Sequence, residues 1–165
     1  MATKTEKDAC DLLDADHRAV KKLFNQFDEL AGSAAQRSVR QRMEIAREIC
    51  MQLTVHAQIE EEIFYPRLRE AFKQTDLLAE AEVEHQTAKD LIAQIESAQE
   101  PGEHFDAQVK VLGEYIDHHV KEERNEIFPK ARSTRGLDLV AMRDELTARK
   151  HELLAEQGEL APTSA

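Results

Sequence analysis

Two eleven-residue stretches, HAQIEEEIFYP at 56–66 and HVKEERNEIFP at 119–129, are near-duplicates. Each sets a glutamate four residues after a histidine and a proline six residues after that glutamate. A spacing of four puts imidazole and carboxylate one turn apart on the same side of an α-helix. The same helical stripe holds Ile45, Ile49, Leu53 and Ile63 around the first pair, and Phe105, Val109, Leu112, Ile116 and Ile127 around the second. A carboxylate inside an apolar stripe is costly to bury alone. The repeat therefore demands a helical fold in which both pairs meet groups that satisfy them.

Helical spacing extends along the rest of the chain. From about Ala9 to Leu30, the positions Leu13, His17, Val20, Phe24 and Phe27 form one stripe. After a break at 32–35, Ser38 can cap a second helix that runs to about Tyr65, where Pro66 predicts a kink or an end, with a loop after Phe72. Thr75 or Asp76 can cap a third helix, whose stripe is Leu78, Ala81, His85, Leu91 or Ile92, and Ile95. It stops at Pro101-Gly102. The fourth runs from about Glu103 to Phe128, with Pro129 at its end or bend. A fifth segment, about Gly136 to Glu156, offers Leu137, Val140, Met142, Leu146, Leu153 and Leu154 in a less regular stripe that lacks a His–carboxylate pair. With only five Gly, four Pro, two Tyr and six Phe in 165 residues, there is little material for the turns of an all-β fold. The expected fold is all-α, an up-and-down four-helix bundle over residues 9–130. An additional C-terminal helix in 131–165 would pack on the bundle or on a partner. The ends, 1–7 and 158–165, are expected to fray.

The 22 Lys plus Arg against 33 Asp plus Glu give a formal charge of -11. That balance argues against nucleic acid and against an anionic membrane surface as partners. No apolar run approaches the roughly 20 residues of a membrane span. Cys10 and Cys50 are too few for a disulfide scaffold, and the N-terminal stretch has no secretory pattern, so a cytoplasmic, soluble protein is expected, as monomer or homodimer.

One histidine lies inward on each of the four bundle helices, and two helices add a glutamate. The inward set is His17, His56, Glu60, His85, His119 and Glu123. A lone histidine on an apolar face is more often a core residue than a ligand. Four of them converging with two buried carboxylates explain one another through metal coordination. Imidazole and carboxylate suit intermediate divalent metals, and carboxylates can bridge two ions, so a pair of irons is the natural occupant, with zinc or manganese competing. His118 with Glu122 is a neighbouring choice on the fourth helix. His119 with Glu123 is favoured because Leu112 and Ile116 precede it as Ile49 and Leu53 precede His56 and Glu60.

Over about 11–128 the sequence resembles the hemerythrin family, in its bacterial hemerythrin-like HHE cation-binding branch. The resemblance rests on His17 in DADHRAV, His56 and Glu60 in HAQIE, His85 in EHQTAK, and His119 and Glu123 in HHVKEE. It implies two non-heme irons, oxo- or hydroxo-bridged, with Glu60 and Glu123 spanning both, His17 and His56 serving one and His85 and His119 the other. It further implies binding or sensing of dioxygen, peroxide or nitric oxide, reached by an apolar path for a small neutral ligand. Oxygen carriers of the family have a second histidine one turn after the third-helix ligand, where this chain has Lys89, so simple oxygen transport is not expected and one position would be exchangeable. A peroxide-decomposing oxidoreductase and an iron-handling or repair protein are the alternatives. Ferritin-like storage fits less well, because only Glu82 to His85 supplies an E-x-x-H motif. Tyr115 could reach a metal-bound species, and Glu61, Glu62 and Glu122 could orient imidazoles. Cys50 is expected to pack as a small apolar residue, Cys10 to lie near a mobile end, and His104 and His151 to lie at the surface.

Overall fold

The computed structural model describes residues 6–160. Its elements are α1 (Ala9–Leu30), α2 (Gln36–Ile59), a π-helical turn (Glu60–Phe64), α3 (Tyr65–Ala71), α4 (Asp76–Ser97), α5 (Glu103–Glu122), a second π-helical turn (Glu123–Ile127), α6 (Phe128–Ser133) and α7 (Leu139–Leu160). There is no strand among the described residues. The expected fraying concerns, for residues 1–5 and 161–165, positions outside the described residues. Within them, α7 continues through Gly158 to Leu160.

Local chemistry sets the helix ends. Asp8 and Asp11 form a reciprocal capping box at the start of α1, with bonds of 2.9 and 3.0 Å between side chains and backbone N–H groups. Such a cap stabilises a helix by about 1 kcal/mol. Gly32, at φ +80°, takes the left-handed turn that leaves α1. Ser38 does not cap α2. The helix begins at Gln36 behind Ala35, and the Ser38 hydroxyl donates instead to the Leu30 carbonyl at 3.0 Å. Thr75 stands at the cap position of α4 without a side-chain capping bond.

The prolines do not end their helices. Pro66 has no N–H for the Glu62 carbonyl and its ring crowds that oxygen; Pro129 does the same to Asn125. In both places the chain inserts a π turn, with the Tyr65 N–H donating to the Glu60 carbonyl and the Phe128 N–H to the Glu123 carbonyl. α2 through α3 and α5 through α6 are thus two continuous rods, each widened by one residue directly after a buried glutamate.

α1 lies against α2 and α5, and α4 closes the ring against the same two rods, in up-and-down order. Gly113 permits close approach of α5 to α1: a Cβ there would stand 3.0 Å from Phe24 Cδ1. Two apolar layers fill the bundle. Leu13, Ile59, Leu78 and Phe128 belong to one, and Val20, Leu53, Ile92 and Leu112 to the other. Every rod passes from the first layer to the second through one inward histidine. α7 packs on α1 and α2 and adds Leu139, Met142, Leu146 and Leu153 to the first layer. The stripe becomes regular once Leu139 takes the place expected for Val140.

At the opposite end, the buried Arg42 donates to Asp106 Oδ2 and to the Ser33 carbonyl, both at 2.6 Å, and Asp106 also accepts from Gly32 N–H. This ties the α1–α2 loop to α5. Asp106→Ala would leave a buried guanidinium without its counter-charge and should cost about 3 kcal/mol in denaturant unfolding. A loss below about 1 kcal/mol would mean that Arg42 escapes to water.

Candidate metal centre

The polar layer between the apolar layers consists of His17, His56, Glu60, His85, His119 and Glu123, all buried, with both glutamates fully enclosed. The structure brings the six together in two overlapping groups: Glu60, His85, His119 and Glu123, and His17, His56 and Glu123. The rings of His17 and His56 stand 4.9 Å apart, and those of His85 and His119 stand 4.8 Å apart. Glu60 Oε1 lies 2.9 Å from His56 Nε2 and 3.4 Å from His85 Nε2. Glu123 Oε1 lies 2.6 Å from His119 Nε2 and 3.6 Å from His17 Nε2. Each carboxylate therefore touches one imidazole of each pair.

These atoms crowd one another without satisfying one another. His17 Nε2, His56 Nε2 and both oxygens of Glu60 and Glu123 are buried with no hydrogen-bond partner. Native interiors rarely leave so many groups unpaired. Metal bonds of about 2.1 Å would place adjacent donors roughly 3 Å apart, the spacing seen. The donors present fit a pair of ions of the iron, manganese or zinc kind.

The opposite face of each ring fixes which nitrogen is free. His56 Nδ1 meets Asp16 Oδ2 at 2.9 Å, His119 Nδ1 meets Glu84 Oε2 at 3.0 Å, and His17 Nδ1 meets Asp14 Oδ1 at 3.3 Å. A carboxylate behind Nδ1 holds its proton and turns the Nε2 lone pair inward. Burial opposes charge on His56, but Glu60 and Asp16 overcome it and hold the imidazolium up to about 10. Against the same burial, Glu123 and Glu84 raise His119 well above its ordinary value, and Glu60 and Glu61 raise His85. Burial would raise Glu123, yet His119 and His17 hold it well below the usual carboxylate range. A metal at Nε2 takes the neutral form of each imidazole, so affinity rises with pH.

The phenol that reaches the cluster is Tyr65. Its hydroxyl lies 3.5 Å from His85 Nε2 and 3.4 Å from His119 Nε2. Burial, Glu123 and Glu60 keep it protonated far above the ordinary tyrosine range. The equivalent position in the second repeat is Phe128, stacked on His17 with ring centroids 6.1 Å apart. The π turn carries both rings to the site, since it rotates the residues that follow by one position. Half-buried Tyr115 makes no hydrogen bond to the cluster among the described residues.

An inner cavity of about 30 Å³ touches all four imidazoles and is otherwise lined by apolar side chains together with Thr54 and Lys89. It has room for an occupant on the scale of one water molecule. The Lys89 ammonium is held by Glu61 at 2.6 Å, and Glu61 stands 3.6 Å from His85 Nδ1, too far for a hydrogen bond. Glu62 pairs with Arg149 rather than with an imidazole. His118, His104 and His151 are exposed.

Both cysteines are buried, Cys10 included, contrary to the mobile end expected for it. Burial pushes both thiols up to about 12. Native protein should leave both unreacted with an aromatic disulfide reagent at pH 7.5 over minutes, while denatured protein gives two thiols at once. Prompt native labelling would contradict the packing of α1 and α2.

A family model described as hemerythrin HHE cation binding domain matches residues 8–131. A crystal structure of a hemerythrin HHE cation binding domain-containing protein, the Rv2633c homolog from Mycobacterium kansasii, is similar with a TM-score of 0.78. It is 20% identical, with 96% of this chain and 94% of that chain covered, a likeness of fold. A curated relative named DNA nickase, from Nostoc sp. (strain PCC 7120 / SAG 25.82 / UTEX 2576), is 27% identical over 130 residues, 79% of this chain. The chain spans 35% of that relative's length. The chain belongs to the hemerythrin HHE cation-binding domain family.

Proposed function

We propose that this chain is a non-heme di-iron protein that binds or senses a small ligand such as dioxygen, peroxide or nitric oxide. His17, His56, Glu60, His85, His119 and Glu123 are its metal ligands. The observation that carries the reading is the convergence of six buried imidazole and carboxylate groups from four rods within about 3 Å of one another, with the donor atoms of His17, His56, Glu60 and Glu123 left partnerless. Bound there, an iron pair supplies electrons and an exchangeable position for a ligand. Glu60 and Glu123 would hold the pair between the two imidazole pairs and offset its positive charge. Asp14, Asp16 and Glu84 fix three of the imidazoles, and the apolar walls keep bulk water and large molecules away. Tyr65 presents an O–H donor beside His85 and His119.

The metal-binding unit is residues 9–130, and 131–165 is a C-terminal helical extension for the bundle or a partner, its helix α7 lying on α1 and α2. The protein works in the cytoplasm, as monomer or homodimer, without nucleic acid or membrane. Among the described residues no helix is long and apolar enough to cross a membrane. DNA nicking is not carried over from the Nostoc relative, given the one-third overlap and the -11 charge.

Protein purified under controlled oxygen should contain two irons per chain, with visible absorption that changes on reduction and returns on reoxidation. Stoichiometric zinc or manganese without iron overturns the reading. The hydrogen-bond donor at Tyr65 favours peroxide decomposition as the second reading. In that case wild-type protein turns over peroxide and Tyr65→Phe is slower at unchanged iron content.

A further inference from the structure

Between α1 and α5 a groove of about 500 Å³ opens to solvent. Its rim carries Arg18, Lys21 and Lys22 from α1, Lys121 from α5, and Arg124 from the π turn that follows α5. Two carboxylates answer them. Asp117 is 2.8 Å from Lys21, and Asp14 holds Arg124 at 2.5 Å and Arg18 at 3.1 Å. Five cations against two anions leave three positive charges here, on a chain whose total is -11. Lys22 and Lys121 have no ion-pair partner among the described residues.

The floor of the groove includes His17, Ile116 and Val120, and the same three residues line the inner cavity at the imidazoles. Groove and cavity thus share one wall, apolar apart from a metal-ligand imidazole. A cleft of one sign with low-dielectric walls focuses its field and raises the local concentration of the opposite charge, with on-rate gains of about 10- to 1,000-fold.

We infer that the α1–α5 groove recruits small monovalent inorganic anions of two or three atoms and delivers them past Ile116 and Val120 to the metal pair. The destination rests on the di-iron reading; the anion affinity of the groove does not. Neutral ligands gain nothing from the rim, so charge adds a selection that the volume of the cavity does not make.

The double variant Lys22→Glu, Lys121→Glu reverses the two unpaired, exposed charges. Stopped-flow mixing of oxidised iron-loaded protein with azide, and of reduced protein with nitric oxide, reads arrival at the pair. Azide association should fall about 10-fold or more in the variant, and in wild type it should fall as salt rises. Nitric oxide association should change by less than about twofold. Equal azide rates in the two proteins overturn the proposal.

Amide NMR with thiocyanate on protein stripped of metal by a chelator reads the groove without reference to iron. Shifts should gather in 17–25 and 116–124 and vanish in the variant; absent shifts, or shifts the variant keeps, overturn the proposal. Those shifts in protein that takes up no iron support the anion groove and overturn only the di-iron reading. Retention of labelled duplex DNA at about 0.15 M salt by wild type alone would assign the groove to a phosphate backbone and also overturn it.

Discussion

Glu123→Gln should strip both halves of the centre together, weakening iron binding by about 100-fold or more, beyond what loss of an outer partner costs. Glu123 Oε1 faces His119 of one imidazole pair and His17 of the other, so its charge serves both ions. His17→Ala is the contrast. It removes a donor from the His17 and His56 half only and leaves the Glu60, His85, His119 and Glu123 group intact, so one iron per chain should remain. Metal content after dialysis against a chelator separates two, one and none. Thermal unfolding gives a second readout, because the ligands sit on four rods and a metal that binds only the folded chain stabilises it. The gain is about 2.7 kcal/mol when free metal stands at 100 times its dissociation constant. Added iron should raise the unfolding temperature of wild type and leave Glu123→Gln unmoved. A Glu123→Gln protein that keeps two irons would remove the bridging role.

The four rods and their inward histidines were legible because apolar and ligand side chains share one 3.6-residue period, which a sequence displays directly. His119 with Glu123 could be preferred over His118 with Glu122 on that ground, and the burial of the one pair and the exposure of His118 agree with it. The period fails where the helix itself changes. Read as uninterrupted α-helix, the first repeat puts Ile63 on the inner stripe; the π turn gives that place to Phe64 and Tyr65, and Ile63 is only half-buried. The signal was present in Pro66 and Pro129, whose missing N–H groups call for a kink, an end or a widened turn without choosing among them. Partners behind the imidazoles were less accessible. Asp14 reaches its own helix's His17, but Asp16 reaches across to His56, and Glu84 serves His119 rather than its chain neighbour His85. Only the packing of the rods decides such pairings.

Asp16→Asn should weaken metal binding 10- to 100-fold while leaving all six ligands in place. Asp16 Oδ2 holds His56 Nδ1 at 2.9 Å, and Oδ1 holds Lys150 Nζ at 2.5 Å. Burial would raise the Asp16 carboxyl, yet His56 and Lys150 keep it below the usual carboxylate range, so it stands ionised behind the ring. A neutral amide accepts more weakly and makes His56 a poorer donor. The two ends of this chain of contacts act with opposite sign on the electron affinity of the centre. Loss of the Asp16 charge should raise the reduction potential of the iron pair. Lys150→Met, which frees Asp16 to polarise His56 more strongly and removes a nearby cation, should lower it, and Lys150→Arg should restore it. Chelator competition and spectroelectrochemical titration read the two effects separately. Lys150 belongs to α7, outside the family-matched 8–131. Opposite shifts would therefore make the C-terminal helix a contributor of charge to the metal centre, whereas no shift in Lys150→Met would reduce α7 to a cover over Leu13, Ile59 and their neighbours.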